Sequence, residues 1–263
     1  LSRFCPLFSS SSGNSIYIGG SGGGVLVDAG VSARQLTQAL DRLRIERNSI
    51  RAILVTHEHS DHVKGLRVTA GRLGIPVFTS HGTAEKLRGS GVADGSFLLN
   101  EIACVPFEAA GMRITPFHIS HDCAEGFGYT FELPDSRRAA VVTDLGEMTP
   151  EVLAAVSGCD LVLIESNHDY GMLRSGTYPL YLKQRILSKF GHLSNEVCAR
   201  TAAELMRSGT TRFFLGHLSR QNNTPALARG ETLRALQAFG GRENRDFMLE
   251  VAPECDAQRV LIF

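Results

Sequence analysis

No apolar run among the 263 residues approaches the roughly 20 consecutive residues that a membrane-spanning helix needs, so no membrane partner is expected. The amino-terminal stretch carries one arginine and no apolar core of the kind found in a secretory signal, and none is expected there. The six cysteines, at 5, 104, 123, 159, 198 and 255, include no CxxC pair. Scattered thiols of this kind fit a reduced, cytoplasmic protein that uses them as small core residues, and they argue against a disulfide framework. No linker, repeat or low-complexity tract divides the chain, so 1–263 reads as a single domain. The Gly-rich stretch 19–24 lacks the lysine and following helix of a phosphate-binding loop, and reads as a hairpin turn. Net charge is also lacking, with 27 basic against 27 acidic residues. Its distribution is uneven. From Lys183 to Arg242 there are ten basic and three acidic residues, a local excess of +7 that suits a polyanionic partner.

What is present alternates short β-branched or aromatic segments with amphipathic ones. Strands are expected at 3–8, 15–19, 24–28, 52–56, 76–79, 112–118, 127–132, 139–143, 160–165, 212–215, 246–251 and 257–262. Ser32 to Gln35 has the pattern of a capping box that opens a helix to about 44. Thr149-Pro150 and Thr224-Pro225 each place a cap before a proline at the first helical position. Helices are also expected at 64–73, 83–88 and from Ser194 to about 208.

The densest chemistry lies at 57–62, His-Glu-His-Ser-Asp-His, directly after the apolar run 52–56. In extended backbone His57 and His59 point the same way. After the turn Asp61 and His62 form a second pair. Imidazole and carboxylate together suit zinc and similar divalent ions. One short loop thus offers half of each of two adjacent metal sites.

Thr56 to His62 resembles the HxHxDH signature of the metallo-β-lactamase superfamily, and Val25 to Gly30 resembles the strand and Asp that precede its first helix. Ser11 to Asn14, Glu165 to Asp169 and Gly191 to Asn195 resemble, more narrowly, the YycJ/WalJ group of exonucleases. The resemblance implies an α+β fold, an αββα sandwich of two mixed β-sheets flanked by helices. It implies two divalent ions, zinc or manganese with iron possible, held by His57, His59, Asp61, His62, His121, Asp144 and His217. Asp144 would bridge the pair, and the ions would share a hydroxide. Asp28 would lie behind the ligands and fix one imidazole. His118 competes with His121 for its position; its alternation with apolar residues on the preceding strand suits a buried, hydrogen-bonded histidine instead. His81 matches no ligand position and reads as a surface or capping residue.

The alternative activities can be weighed on the same residues. Asp144 at the bridging position disfavours β-lactam hydrolysis. Only 72 residues separate Asp144 from His217, too few for the extra domain of the β-CASP nucleases. Glyoxalase-like thioesterases and lactonases share the ligand set and stay as the alternative. The expected activity is a phosphodiesterase, a DNA exonuclease acting 5′ to 3′ by resemblance, with DNA favoured over RNA as partner. Asp61, Glu165 and His192 are the catalytic candidates, with His192 as proton donor to the leaving oxygen and Glu165 raising its pKa. Ser12, Asn14, Asn167, His168, Ser194 and Asn195 are the candidate substrate contacts. The loop 8–14 has Phe8 and Ser10 where that group commonly has two more glycines.

Overall fold

The computed structural model describes residues 1–255 and 257–263. In chain order the strands are β1 (Arg3–Ser10), β2 (Gly13–Gly20), β3 (Gly23–Val27), β4 (Ile50–Leu54), β5 (Val77–Thr79), β6 (Leu99–Glu101), β7 (Phe107–Ala109), β8 (Met112–His118), β9 (Phe127–Glu132), β10 (Arg138–Val142), β11 (Leu161–Glu165), β12 (Arg212–Gly216), β13 (Met248–Val251) and β14 (Leu261–Ile262). The helices are α1 (Ala33–Arg42), α2 (Ser60–Val63), α3 (Leu66–Leu73), α4 (His81–Gly89), α5 (Pro150–Val156), α6 (Tyr170–Ser175), α7 (Leu180–Ile186), α8 (Asn195–Arg207) and α9 (Pro225–Ala238). The strands sort into two mixed sheets of seven, β1–β6 with β14 and β7–β13, with helices on their flanks. The chain divides into two compact units. One comprises Leu1–His118, Cys123–Arg137 and Pro253–Phe263; the other comprises Ile119–Asp122 and Arg138–Ala252.

In the first unit the order is β14-β1-β2-β3-β4-β5-β6. The strands from β14 to β3 pair antiparallel, and β3 to β6 run parallel. The β2–β3 hairpin turns within the Gly-rich stretch, as the sequence predicts. Parallel neighbours cannot be joined by a tight turn, and α1, α3 and α4 are the crossovers. α1 is held by the predicted capping box, with Gln35 N donating to the Ser32 hydroxyl. It buries Leu36, Ala39 and Leu40, a 3–4 spacing that makes one apolar stripe against the sheet core. Val27 lies opposite Leu54 in register, so the carboxyl ends of β3 and β4 deliver Asp28 and Thr56-His57 side by side. An antiparallel β7–β8–β9 meander completes this unit.

In the second unit β10, β11, β12 and β13 run parallel. Ala139–Val142 and Leu161–Ile164 are fully buried, the continuous apolar run expected of parallel strands covered on both faces. Glu165 is in register with Gly216, so Asp144, Glu165 and His217 leave the same end of adjacent strands. That end is where parallel α/β sheets place their chemistry.

The structure departs from the sequence expectation at six elements: β6, β7, α2, α6 and α7 lie where the sequence pattern indicates no element, and the expected strand 257–262 shortens to β14. Cys5, Cys159 and Cys198 are core residues as expected, whereas Cys104 and Cys255 are exposed. No helix among the described residues is long and apolar enough to cross a membrane.

Candidate metal centre

In the first unit the loop after β4 is built around Asp28. Its Oδ1 accepts from Thr56 N at 2.8 Å, and its Oδ2 accepts from the Thr56 hydroxyl at 2.9 Å and from His62 Nδ1 at 2.7 Å. His57 Nδ1 in turn donates to the Thr56 hydroxyl at 3.0 Å. Both imidazoles are fully buried with Nδ1 committed to oxygen, which leaves Nε2 as the lone-pair nitrogen. Asn14 Nδ2, which can only donate, lies 3.1 Å from His62 Nε2 and agrees with that tautomer. It also lies 3.4 Å from Asp61 Oδ2. The His59 ring stands edge-on to His57 at 4.5 Å. Chain approach here is close. A Cβ on Gly30 would come within 1.6 Å of the Asp61 carbonyl oxygen, so only glycine lets the Asp28 turn pass under the ligand loop.

In the second unit Glu165 is the hub. Its Oε1 accepts from His192 Nδ1 and from His217 Nδ1, each at 2.8 Å. Its Oε2 accepts from the backbone N–H groups of Leu145 at 3.1 Å and Leu193 at 3.0 Å. Burial alone would push this carboxyl up. The charge and hydrogen bond of His192, with the bond from His217, outweigh it and hold the group at about 2. Asp144 Oδ1 lies 3.3 Å from His217 Nδ1 and 3.9 Å from His121 Nε2. Ligand atoms of Asp144, Glu165, His192 and His217 all lie within 4.8 Å of one another. His121 Nδ1 donates to the Gly191 carbonyl at 3.2 Å, and burial pushes that ring below its ordinary value. His217 and His121 therefore also keep Nε2 as the lone-pair nitrogen.

The donor chemistry fits divalent ions in each half. Neutral imidazoles oriented through their second nitrogen, beside carboxylates, are the usual ligands of zinc-type sites. Asp28, Asp144 and His217 have φ of 63°, 59° and 54°. Left-handed backbone at these non-glycine residues costs on the order of 1–3 kcal/mol each, strain of the kind that clusters at functional sites.

The other expected residues are placed as follows. Ser12 is exposed at the β1–β2 turn, where its N–H donates to the Ser10 hydroxyl. Asn14 clasps the same turn through Ser10. Ser194 caps α8, accepting from Val197 N at 3.3 Å. The Asn167 amide donates to the His217 carbonyl at 2.9 Å and so braces that residue's strained backbone. Asn195 is locked to Ser166 and Asn223 in a buried network. His168 is buried, and neither ring nitrogen has a hydrogen-bond partner among the described residues. Burial pushes it down to about 4. His118 is a correction. It is exposed rather than buried, because it ends β8, and its ring is tilted against that of Phe127 with centroids 5.1 Å apart. His81 is exposed and bonded to Glu101 at 2.7 Å, while Ser80 caps α4.

Two contributors escaped the sequence reading. Thr56 stands inside the motif, yet its hydroxyl binds Asp28 and His57 together. Asn223 precedes the Thr224-Pro225 cap and ties Ser166, Asn167 and Asn195. Each had only position beside a recognised signal to point to it.

A model of the beta-lactamase superfamily domain matches residues 24–218. Exodeoxyribonuclease YycJ of Bacillus anthracis is 36% identical over 241 residues, covering 90% of each chain. Exodeoxyribonuclease WalJ of Streptococcus pneumoniae serotype 2 is 36% identical over 233 residues, covering 86% of this chain and 85% of that one. The crystal structure of YhfI from Bacillus subtilis, a metallo-beta-lactamase fold protein, superposes with a TM-score of 0.75 at 14% identity, over 99% and 98% of the two chains. The chain therefore belongs to the metallo-β-lactamase superfamily, as a metal-dependent hydrolase that resembles the YycJ and WalJ exodeoxyribonucleases.

Proposed function

We propose that this protein is a binuclear phosphodiesterase that degrades DNA as an exonuclease, from the 5′ end by resemblance. The observation that carries the reading is the Glu165 carboxylate, which grips His192 and the ligand candidate His217 through one oxygen. Seven residues, His57, His59, Asp61, His62, His121, Asp144 and His217, are proposed to hold two zinc or manganese ions. Divalent ions so held would activate water and neutralise phosphoryl oxygens. The chain's own part is proton management. Glu165 accepts from His192 Nδ1 and so orients the ring, which leaves Nε2–H as the proton donor to the leaving alkoxide. A leaving alkoxide with no proton is poor; a p-nitrophenolate is good. The name shared by the curated relatives supports deoxyribonucleic acid as substrate. The family match spans residues of both units and supports reading the chain as one hydrolase domain. Free cysteines support a reducing, cytoplasmic setting.

The test is His192→Ala. Turnover on DNA should fall by about 10²–10⁴, the usual scale of general acid catalysis, with metal content retained. The loss should be much smaller on bis-p-nitrophenyl phosphate. Equal losses on both substrates would reassign His192 to phosphate binding. Rapid turnover of S-lactoylglutathione with no action on either phosphodiester would establish the thioesterase instead.

A further inference from the structure

The segment from Tyr170 to Phe190 contains four basic residues and no acidic one. It also concentrates exposed apolar surface. Tyr181 is 72% exposed, Leu180 70%, and Tyr170 and Phe190 47% each. Among the described residues only four large aromatics are exposed, and three of them fall in this stretch. Scattered apolar residues on a surface need no explanation, but a cluster does. α7 buries only Ile186 and presents Leu180 and Tyr181 outward, the reverse of an ordinary surface helix. Folding alone does not account for that face.

The cations interleave with the rings. Lys189 Nζ lies 5.0 Å from the centroid of Phe190. Lys183 donates to the carbonyls of Arg174 and Gly176 at 2.8 and 2.7 Å, which pins the α6–α7 turn and keeps its charge there. The segment ends against the catalytic half of its own unit. The Phe190 carbonyl accepts from Asp122 N at 3.1 Å, Arg185 pairs with the Asp122 carboxylate, and His192 follows two residues on. A Cβ on Gly146 would meet the Lys189 backbone at 2.3 Å, so the stretch is packed rigidly beside the Asp144 turn.

We infer that Tyr170–Phe190 is a stacking platform for single-stranded DNA, with Tyr181 and Phe190 each holding a base face and Lys189 a neighbouring phosphate. The inference rests on the nuclease reading above for its choice of DNA. Exposed rings beside cations are how single strands are bound without sequence preference, because every base offers a π face. A duplex keeps its bases stacked on each other and cannot use them.

The test is fluorescence anisotropy of a labelled phosphorothioate dT 20-mer and of a 20-base-pair duplex, using metal-loaded protein. The wild type should bind the single strand more tightly. Tyr181→Ala and Phe190→Leu should each weaken it roughly 5- to 150-fold, the range for one stacked base. Phe239→Ala, which removes the exposed ring outside the segment, should not. Tyr181 is mostly in solvent, so its removal should leave the thermal melt unchanged. Variants that bind like the wild type overturn the platform. So does unchanged DNA binding accompanied by loss of a dimer in light scattering, which would make this face a protein interface. A wild type that hydrolyses no DNA but loses single-strand affinity in both variants rejects the nuclease and keeps the platform. Normal DNA hydrolysis with unaffected variants does the opposite.

Discussion

His168 is 1% exposed, and burial pushes its ring down to about 4. The unfolded chain protonates the same residue near 6.5. Between these values unfolding takes up a proton. The folded state therefore has its full advantage above pH 6.5 and loses it as pH falls toward 4. The difference corresponds to about 3 kcal/mol. His168→Gln, which cannot titrate, should flatten this dependence. In urea melts of metal-free protein at pH 7 and pH 4, the wild type should lose about 3 kcal/mol more than the variant; parallel losses would show that the ring is not buried neutral. Legibility at this scale followed chemistry. The His57–His62 cluster announces itself because few other roles need those side chains so close. Glu165 bonding two imidazoles at once could not be read, because it depends on β11 and β12 being in register. Alternation along β8 points His118 inward, but it stops constraining a side chain at the last residue of a strand, and His118 is exposed.

At the scale of elements, α8 shows how a local signal carries positional information. Ser194 accepts from Val197 N, and the helix it opens carries seven buried residues. The expected substrate role of Ser194 competes with this structural one. Ser194→Ala should cost about 1 kcal/mol of unfolding free energy, the usual loss for a cap, and Ser194→Asp should restore most of it. A raised Michaelis constant on DNA at unchanged stability would instead mark the hydroxyl as a substrate contact. Thr149, Thr224 and Ser32 cap their helices as their sequences indicate. β6 and β7 were missed because three-residue strands of partly buried side chains show no periodicity. α6 and α7 were missed for a different reason. Gly171, Gly176 and Pro179 break the pattern, and Leu180 and Tyr181 of α7 face solvent rather than a core. A rule that places apolar residues inside fails where a surface is built for contact.

For the whole molecule, the ligand candidates are spread from residue 57 to residue 217, so metal loading ties distant parts of the sequence to the folded state. An ion that binds only the folded chain stabilises it by about 4 kcal/mol at a thousandfold excess over its dissociation constant. Two ions should therefore raise the melting temperature in two distinguishable increments as zinc or manganese is titrated into metal-free protein. Elemental analysis after desalting should give close to two ions per chain. Asp144→Ala removes the one carboxylate assigned to both ions and should leave fewer than one. His217→Ala removes a ligand of one ion only and should leave about one, with a single thermal increment. His57 and His62 are oriented by Asp28 and Thr56, so Asp28→Asn should keep the fold but lower metal affinity, on the scale of 10- to 100-fold seen when such outer partners are lost. A wild type that binds one ion in excess metal, or a His217→Ala protein that still binds two, would replace the binuclear centre with a mononuclear one.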